Sequence, residues 1–371
     1  MKRRTFIEKA ALGSVAISTL SMCNIAPSKK KKNKLGYALV GLGNYSRGQL
    51  GPALLETKNC YLAGIVTGTP EKAAEWSEKY QIPEKNVYNY DNFDEIADNP
   101  DIDIVYVVLP NNMHAEFTIR ALQAGKHVTC EKPMSTNYGD AVKMIEAANQ
   151  AGKRLSIGYR LHYDPYNLEM MRLGQKKIYG PITEVDAKFG FELKDKKRWR
   201  LSKEMAGGGP LMDVGPYCTQ GVIYTLGELP TAVTCQNTTV DKEFFGDVEG
   251  ALEWQFVFPS GVKNTMESSY EKPFYDGLTA KTETHEFGLR PAFIYNNLKG
   301  QINGEVFEYP PMNQQAAQMD AFALNVRDNT ECLVPAEMGA RDMFLLDKIY
   351  EAMDAGTEVS LKGLPQVQHL I

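Results

Sequence analysis

Three residues of this 371-residue chain have the types and spacing to move a proton beside a developing charge: Lys132, Asp213 and Tyr217. Lys132 sits in Glu131-Lys132-Pro133, directly after the expected fifth strand at 127–130. A lysine at the end of a strand in a doubly wound sheet lies where ligands bind, and it can hold a hydroxyl and stabilise the alkoxide left when hydride departs. The alternative is a structural ion pair with Glu131. Asp213 and Tyr217 close the segment Gly207-Gly208-Gly209-Pro210-Leu211-Met212-Asp213-Val214-Gly215-Pro216-Tyr217, which is too glycine-rich for a simple core helix. If Asp213 opens a helix, Tyr217 falls on the same face one turn later. Carboxylate and phenol together then orient and deprotonate one hydroxyl; otherwise they are a structural pair.

A second constellation suits a dinucleotide. Gly41-Leu42-Gly43-Asn44-Tyr45-Ser46 follows a strand and opens a helix, with the first glycine making a tight turn and the second admitting a pyrophosphate to the backbone. Ser46 replaces the usual third glycine or alanine, and Gly51-Pro52 is expected to bend or break the helix early. At the end of the second strand, Val66-Thr67-Gly68-Thr69 offers no carboxylate for the adenosine ribose, while Lys72 follows on the next helical turn. Thr67 and Lys72 therefore favour NADP over NAD, unless Lys72 is only a solvated surface residue.

The elements that must carry these residues are legible as an alternation of β-rich and helical runs. Strands are expected at 37–40, 61–66, 87–88, 102–109, 127–130 and 155–158, with helices at 71–80, 115–124 and 140–151 between them. After Gly158 the pattern changes to long alternating segments at 183–191, 232–239, 250–258 and 262–269, with few helices between, which points to a largely antiparallel sheet. Helices at 316–327 and 337–355 close the chain. The expected class is α/β: an N-terminal Rossmann domain with a parallel doubly wound sheet (34–158), then an α+β domain with a large open, mostly antiparallel sheet (159–371).

Composition sets the partners. Hydrophobic residues at 43%, charged at 23% and aromatic at 10% suit a folded globular body, and the net charge of −5 does not suit nucleic acid. Residues 1–33 read as a twin-arginine export signal and spacer: Arg3-Arg4-Thr5-Phe6-Ile7 precedes a small, apolar stretch at 10–20. Leu20-Ser21-Met22-Cys23 offers an alternative lipid-anchored form, with Met22 where a small residue is usual. The expected location is the periplasm, and no later segment is apolar enough to span a membrane. Six cysteines show neither paired metal-ligand spacing nor a disulfide framework, so most should be buried thiols and no metal is expected.

Long ordered blocks add a family resemblance: YALVGLGNY at 37–45, Leu109-Pro110-Asn111 with His114-Ala115-Glu116, AGKHVTCEKPM at 124–134, GYRLHYDP at 158–165, Trp199-Arg200-Leu201 and the segment 206–217. The chain resembles the glucose-fructose oxidoreductase, inositol dehydrogenase and MocA family from about residue 35 to its end, most of all its periplasmic glucose-fructose oxidoreductases. The resemblance implies catalytic roles for Lys132, Asp213 and Tyr217. It also implies cofactor contacts from Leu109, Pro110, Asn111, His114, Glu131, Arg160, Trp199 and Arg200, and places His162 and Tyr163 at the substrate. Hydride would pass between a sugar or polyol carbon and the nicotinamide, Tyr217 exchanging the hydroxyl proton, Lys132 polarising the oxygen and Asp213 positioning substrate. A homodimer or homotetramer is implied, although the arm before the first strand is short. A redox-neutral NAD-dependent glycosidase is one rival. The other is a non-catalytic dinucleotide-binding sensor, whose sign would be loss of Lys132 or Tyr217. An exported enzyme has no replenished cofactor pool, so the dinucleotide is expected to be loaded before export and kept, reduced by one substrate and reoxidised by another.

Overall fold

Residues 35–40, Leu-Gly-Tyr-Ala-Leu-Val, are buried on both sides, as a strand in the middle of a covered parallel sheet must be. Ala38 and Val40 enter one apolar cluster; Tyr37 and Leu39 enter another on the opposite face. The computed structural model describes residues 33–195 and 198–371; the twin-arginine signal, Cys23 and the spacer as far as residue 32 lie outside the described residues. The first sheet holds β1 (Leu35–Val40), β2 (Cys60–Val66), β3 (Val87–Tyr88), β4 (Ile104–Val107), β5 (His127–Cys130) and β6 (Leu155–Ile157). Its order is β3-β2-β1-β4-β5-β6 and every pairing is parallel. This is the dinucleotide-binding order, with the crevice expected beyond the carboxyl ends of β1 and β4, where the order reverses.

Gly51-Pro52 does not break the first helix. Residues Ser46–Leu50 form a π-helical turn that runs into Gly51–Glu56, and the Gly51 N–H donates to the Ser46 carbonyl five residues back. Widening the turn places the proline at the start of a fresh helical register, where its missing donor costs little.

The second sheet holds β7 (Glu184–Gly190), β8 (Ala232–Asn237), β9 (Ala251–Val257), β10 (Lys263–Ser269), β11 (Tyr275–Lys281), β12 (Glu286–Leu289), β13 (Gly300–Ile302), β14 (Glu305–Phe307) and β15 (Val359–Ser360). Its order is β14-β13-β12-β11-β7-β10-β9-β8-β15, antiparallel throughout except between β7 and β10. One face is covered by helices, and the alternate residues of the central strands, Glu184, Lys188 and Lys281 among them, face outward.

Helices are more frequent after Gly158 than expected. Pro165–Gln175 forms because Asp164 caps it, accepting from the Tyr166 and Asn167 N–H groups, with proline in the first turn. Gly215–Leu226 is buried on nearly every side, so it lacks the polar stripe that would reveal it. Asp213 does not open that helix. It ends the short turn Pro210–Asp213, and Tyr217 stands in the next helix beyond Val214, so the two do not share one helical face.

The two sheets are bound into one unit. Helix Gln314–Asp328 returns to cover the first sheet: Asp320 accepts from the Lys58 and Asn59 N–H groups, and the Tyr37 hydroxyl donates to the Met319 carbonyl. Helix Ala336–Ala355 approaches β6 closely at Gly339, where a Cβ would lie 2.7 Å from Ile157 Cγ1. Cys60, Cys130 and Cys218 are buried free thiols, whereas Cys235 and Cys332 are half-buried and also free. No helix among the described residues is long and apolar enough to cross a membrane.

Candidate active site

A cavity of about 490 Å³ opens beyond the carboxyl ends of β1 and β4 and is walled on its far side by the second sheet and its loops. Its floor is the turn after β1. Gly41 has φ +94°, and a Cβ there would sit 2.4 Å from the Val108 carbonyl, so only glycine fits. A Cβ on Gly43 would meet nothing within 4 Å, which leaves the open approach a pyrophosphate needs. Ser46 is fully buried and donates to the Gly41 carbonyl at 2.6 Å, tying the helix start back to the turn. Asn44, Tyr45, Thr67 and Lys72 line the same cavity. The chain's own residues thus fit a dinucleotide: the backbone approach is open, and no carboxylate lines the wall by Thr67 and Lys72.

The loop after β4 contributes Leu109, Pro110, Asn111 and His114. Asn111 Nδ2 donates to the Ala206 carbonyl at 2.8 Å, so this loop also ties the second sheet's connections to the first. The buried His114 ring lies between the Pro133 and Leu109 carbonyls, 2.8 Å from each, and burial pushes its pKa below the ordinary value. Its visible work is to fasten the Lys132-Pro133 turn to the neighbouring loop.

Lys132 and Glu131 do not pair through their side chains. Glu131 accepts from the Tyr106 hydroxyl at 2.6 Å and from the Lys132 backbone N–H at 3.1 Å, and burial pushes its carboxyl above the usual range. Lys132 Nζ turns instead to Asp213, 2.6 Å from its carbonyl and 3.2 Å from its carboxylate, and stands 4.9 Å from the centre of the Tyr217 ring. Burial works to lower the Lys132 pKa, but Tyr217, Asp213 and Glu131 outweigh it, so the ammonium stays charged.

Asp213 is a junction. Besides Lys132, its carboxylate accepts from Arg200 Nε at 2.9 Å and from the Tyr270 hydroxyl at 2.8 Å. Burial alone would raise its pKa; Arg200 and Lys132 overcome that and hold the carboxyl well below the usual range. Trp199 lies under the Arg200 guanidinium, 4.6 Å away, and both line the cavity.

Three expected site residues do not line the cavity, although Arg160 touches two residues that do. Arg160 is 2% exposed and lies behind the wall: Nη2 is 3.5 Å from the Tyr217 hydroxyl, its guanidinium stacks 4.6 Å from Tyr295, and it donates to the Phe293 carbonyl and Gln314. His162 is buried away from the cavity, with Nδ1 2.8 Å from His369 Nδ1 and Nε2 3.3 Å from Gln220. Tyr163 packs against the larger apolar cluster and does not line the cavity. The short helical turn Arg160–Tyr163 carries all three; it buries Arg160 behind Tyr217 and His162 against His369 and Gln220. The cavity also uses Tyr270 and Tyr295, which no motif marks, and Arg198, one residue outside the Trp199-Arg200 block.

The comparisons agree with this geometry. Residues 35–159 match the model of an oxidoreductase family with an NAD-binding Rossmann fold, and residues 168–284 match the GFO/IDH/MocA C-terminal domain. Among solved structures, the aldose-aldose oxidoreductase of Caulobacter crescentus is 38% identical, with a TM-score of 0.84 over 88% of this chain and 99% of that one. The D-xylose 1-dehydrogenase [NADP(+)] of Haloarcula marismortui is 26% identical over 89% of this chain and 94% of its own length. The D-glucoside 3-dehydrogenase of Escherichia coli is 27% identical over 70% and 79%. With both family domains matched in order, and a relative of that family alike over its whole length, the chain is a member of the Gfo/Idh/MocA family of oxidoreductases.

Proposed function

We propose that this chain is an exported NADP-dependent sugar oxidoreductase that acts on aldoses and keeps its cofactor between two half-reactions, as a glucose-fructose oxidoreductase does. The observation that carries the reading is the meeting of Lys132, Asp213 and Tyr217 at one wall of a cavity whose floor is the glycine turn. A bound nicotinamide supplies the hydride acceptor and donor. Tyr217 exchanges the proton of the sugar hydroxyl, and Lys132 holds the same oxygen and stabilises the charge that develops on it. Asp213 is better described as a positioning residue than as a substrate ligand, because its carboxylate already accepts from Lys132, Arg200 and Tyr270. Thr67 and Lys72, with no acidic side chain lining the wall beside them, support NADP, as does the relative named for NADP. The same reading places the protein in the periplasm behind a twin-arginine signal, and assembles copies through the open outer face of the second sheet.

The test is to purify the mature protein without added cofactor, denature it and identify the nucleotide released. The reading requires NADP at about one per chain, and substrate turnover without any addition. Substoichiometric nucleotide, with activity that needs free cofactor, would indicate an ordinary exchanging dehydrogenase.

A further inference from the structure

Glu249, two residues before β9, is a buried carboxylate outside the apparatus described so far, 6% exposed and with no lysine or arginine paired to it among the described residues. Burial pushes its carboxyl above the usual range. Both oxygens point at the glycine-rich segment: one accepts from the Gly209 N–H at 3.0 Å, the other from the Leu211 N–H at 3.1 Å and from the Tyr350 hydroxyl at 2.9 Å. The segment has no slack against this support. A Cβ on Gly208 would lie 1.9 Å from the Tyr350 oxygen, and one on Gly209 would lie 2.1 Å from the Glu249 carbonyl.

We infer that Glu249 is a positioning residue that sets the Lys132–Asp213 pair by clamping the backbone at Gly209 and Leu211. Those two N–H groups open the turn Pro210–Asp213, so fixing them fixes where Asp213 leaves it. Asp213 in turn takes Lys132 at its carbonyl and its carboxylate. Only a carboxylate can serve both N–H groups, since an amide in its place offers one acceptor and turns a donor on the other. A buried carboxylate without a cation costs desolvation energy, which full hydrogen bonding offsets but which an apolar side chain would avoid. The inference rests on the reading of Lys132 and Asp213 as the reaction site.

The test compares Glu249→Gln with wild type, using an aldose that reduces the wild-type protein's bound nicotinamide. Displacing a reacting group by about 1 Å costs up to roughly a hundredfold in rate. A kcat about ten- to a hundredfold lower is expected, with KM and bound nicotinamide per chain unchanged. Glu249→Asp, which keeps the charge but retracts it, should recover part of the loss and carries the same test if the glutamine variant does not accumulate. Wild-type kcat in folded Glu249→Gln overturns the inference, as does wild-type kcat in Glu249→Asp where only that variant folds. So does a loss shared by kcat, KM and cofactor content, or failure of both variants to fold, because each makes Glu249 merely structural. If the wild type oxidises no sugar, the reading of the site fails instead.

Discussion

Lys132 leaves the end of β5 and meets Asp213, 81 positions later in the chain, at 2.6 Å from its carbonyl and 3.2 Å from its carboxylate. One contact thus joins the nucleotide-binding sheet to the glycine-rich segment of the second half. It also decides against a local ion pair with Glu131, whose carboxylate is taken by Tyr106 and a backbone N–H.

Lys132→Met keeps most of the stem and deletes the charge. The developing alkoxide loses its donor, so kcat should fall by about 10²- to 10³-fold, as when an oxyanion donor is removed. Asp213 keeps Arg200 and Tyr270, so the fold should survive. A variant that loses thermal stability but not kcat would make Lys132 a structural cation.

Tyr217→Phe removes a hydroxyl that lies 3.5 Å from Arg160 Nη2, and leaves the ring packed beside Phe189 and Phe293. Turnover should drop by about 10²- to 10⁴-fold while nicotinamide content stays the same. Unchanged turnover would remove Tyr217 from proton transfer.

Thr67→Asp puts a carboxylate on the cavity wall that also holds Lys72. Charge repulsion should turn the ratio of NADP to NAD affinity toward NAD. Equal ratios in variant and wild type, measured on stripped protein, would show that this wall does not read the 2'-phosphate.

Acid stability should depend on His162. Burial, with His369 and Arg341 beside it, pushes its pKa down to about 3. The unfolded chain therefore binds its proton near the ordinary value of about 6.5 while the folded chain does not. Stability is complete above that value and falls as pH drops toward 3. His162→Gln should flatten this fall, leaving the contributions of His127, whose pKa burial pushes to about 4, and of His114 and His369, which burial also lowers. Identical urea-unfolding profiles against pH for the two proteins would contradict this assignment.

How far the molecule could be read before its structure depended on local signals. The strands of the first sheet are short apolar runs closed by glycine, proline or helix starts, and they fall within two residues of expectation at most ends. Helix Gly215–Leu226 escaped because burial all round removes helical periodicity, β11 because its sequence is half polar, and β12 to β14 because they are short. Tyr270 and Tyr295 reach the cavity by the path of the second sheet, which no spacing records. Arg160, His162 and Tyr163 show the converse: they belong to a recognisable block, yet none of the three lines the cavity, and the helical turn that carries them buries Arg160 and His162.

The central claim is hydride exchange with a retained cofactor, and a stopped-flow measurement tests it most directly. The mature protein, purified without added nucleotide, is mixed with one aldose while the near-ultraviolet absorbance of reduced nicotinamide is followed, and a second aldose is then added. The account predicts a single reduction amounting to no more than one nicotinamide per chain, reversal by the second sugar, and loss of both phases in Tyr217→Phe. Absence of reduction by every aldose tried, or reduction that continues beyond one equivalent only when free NADP is supplied, would contradict it.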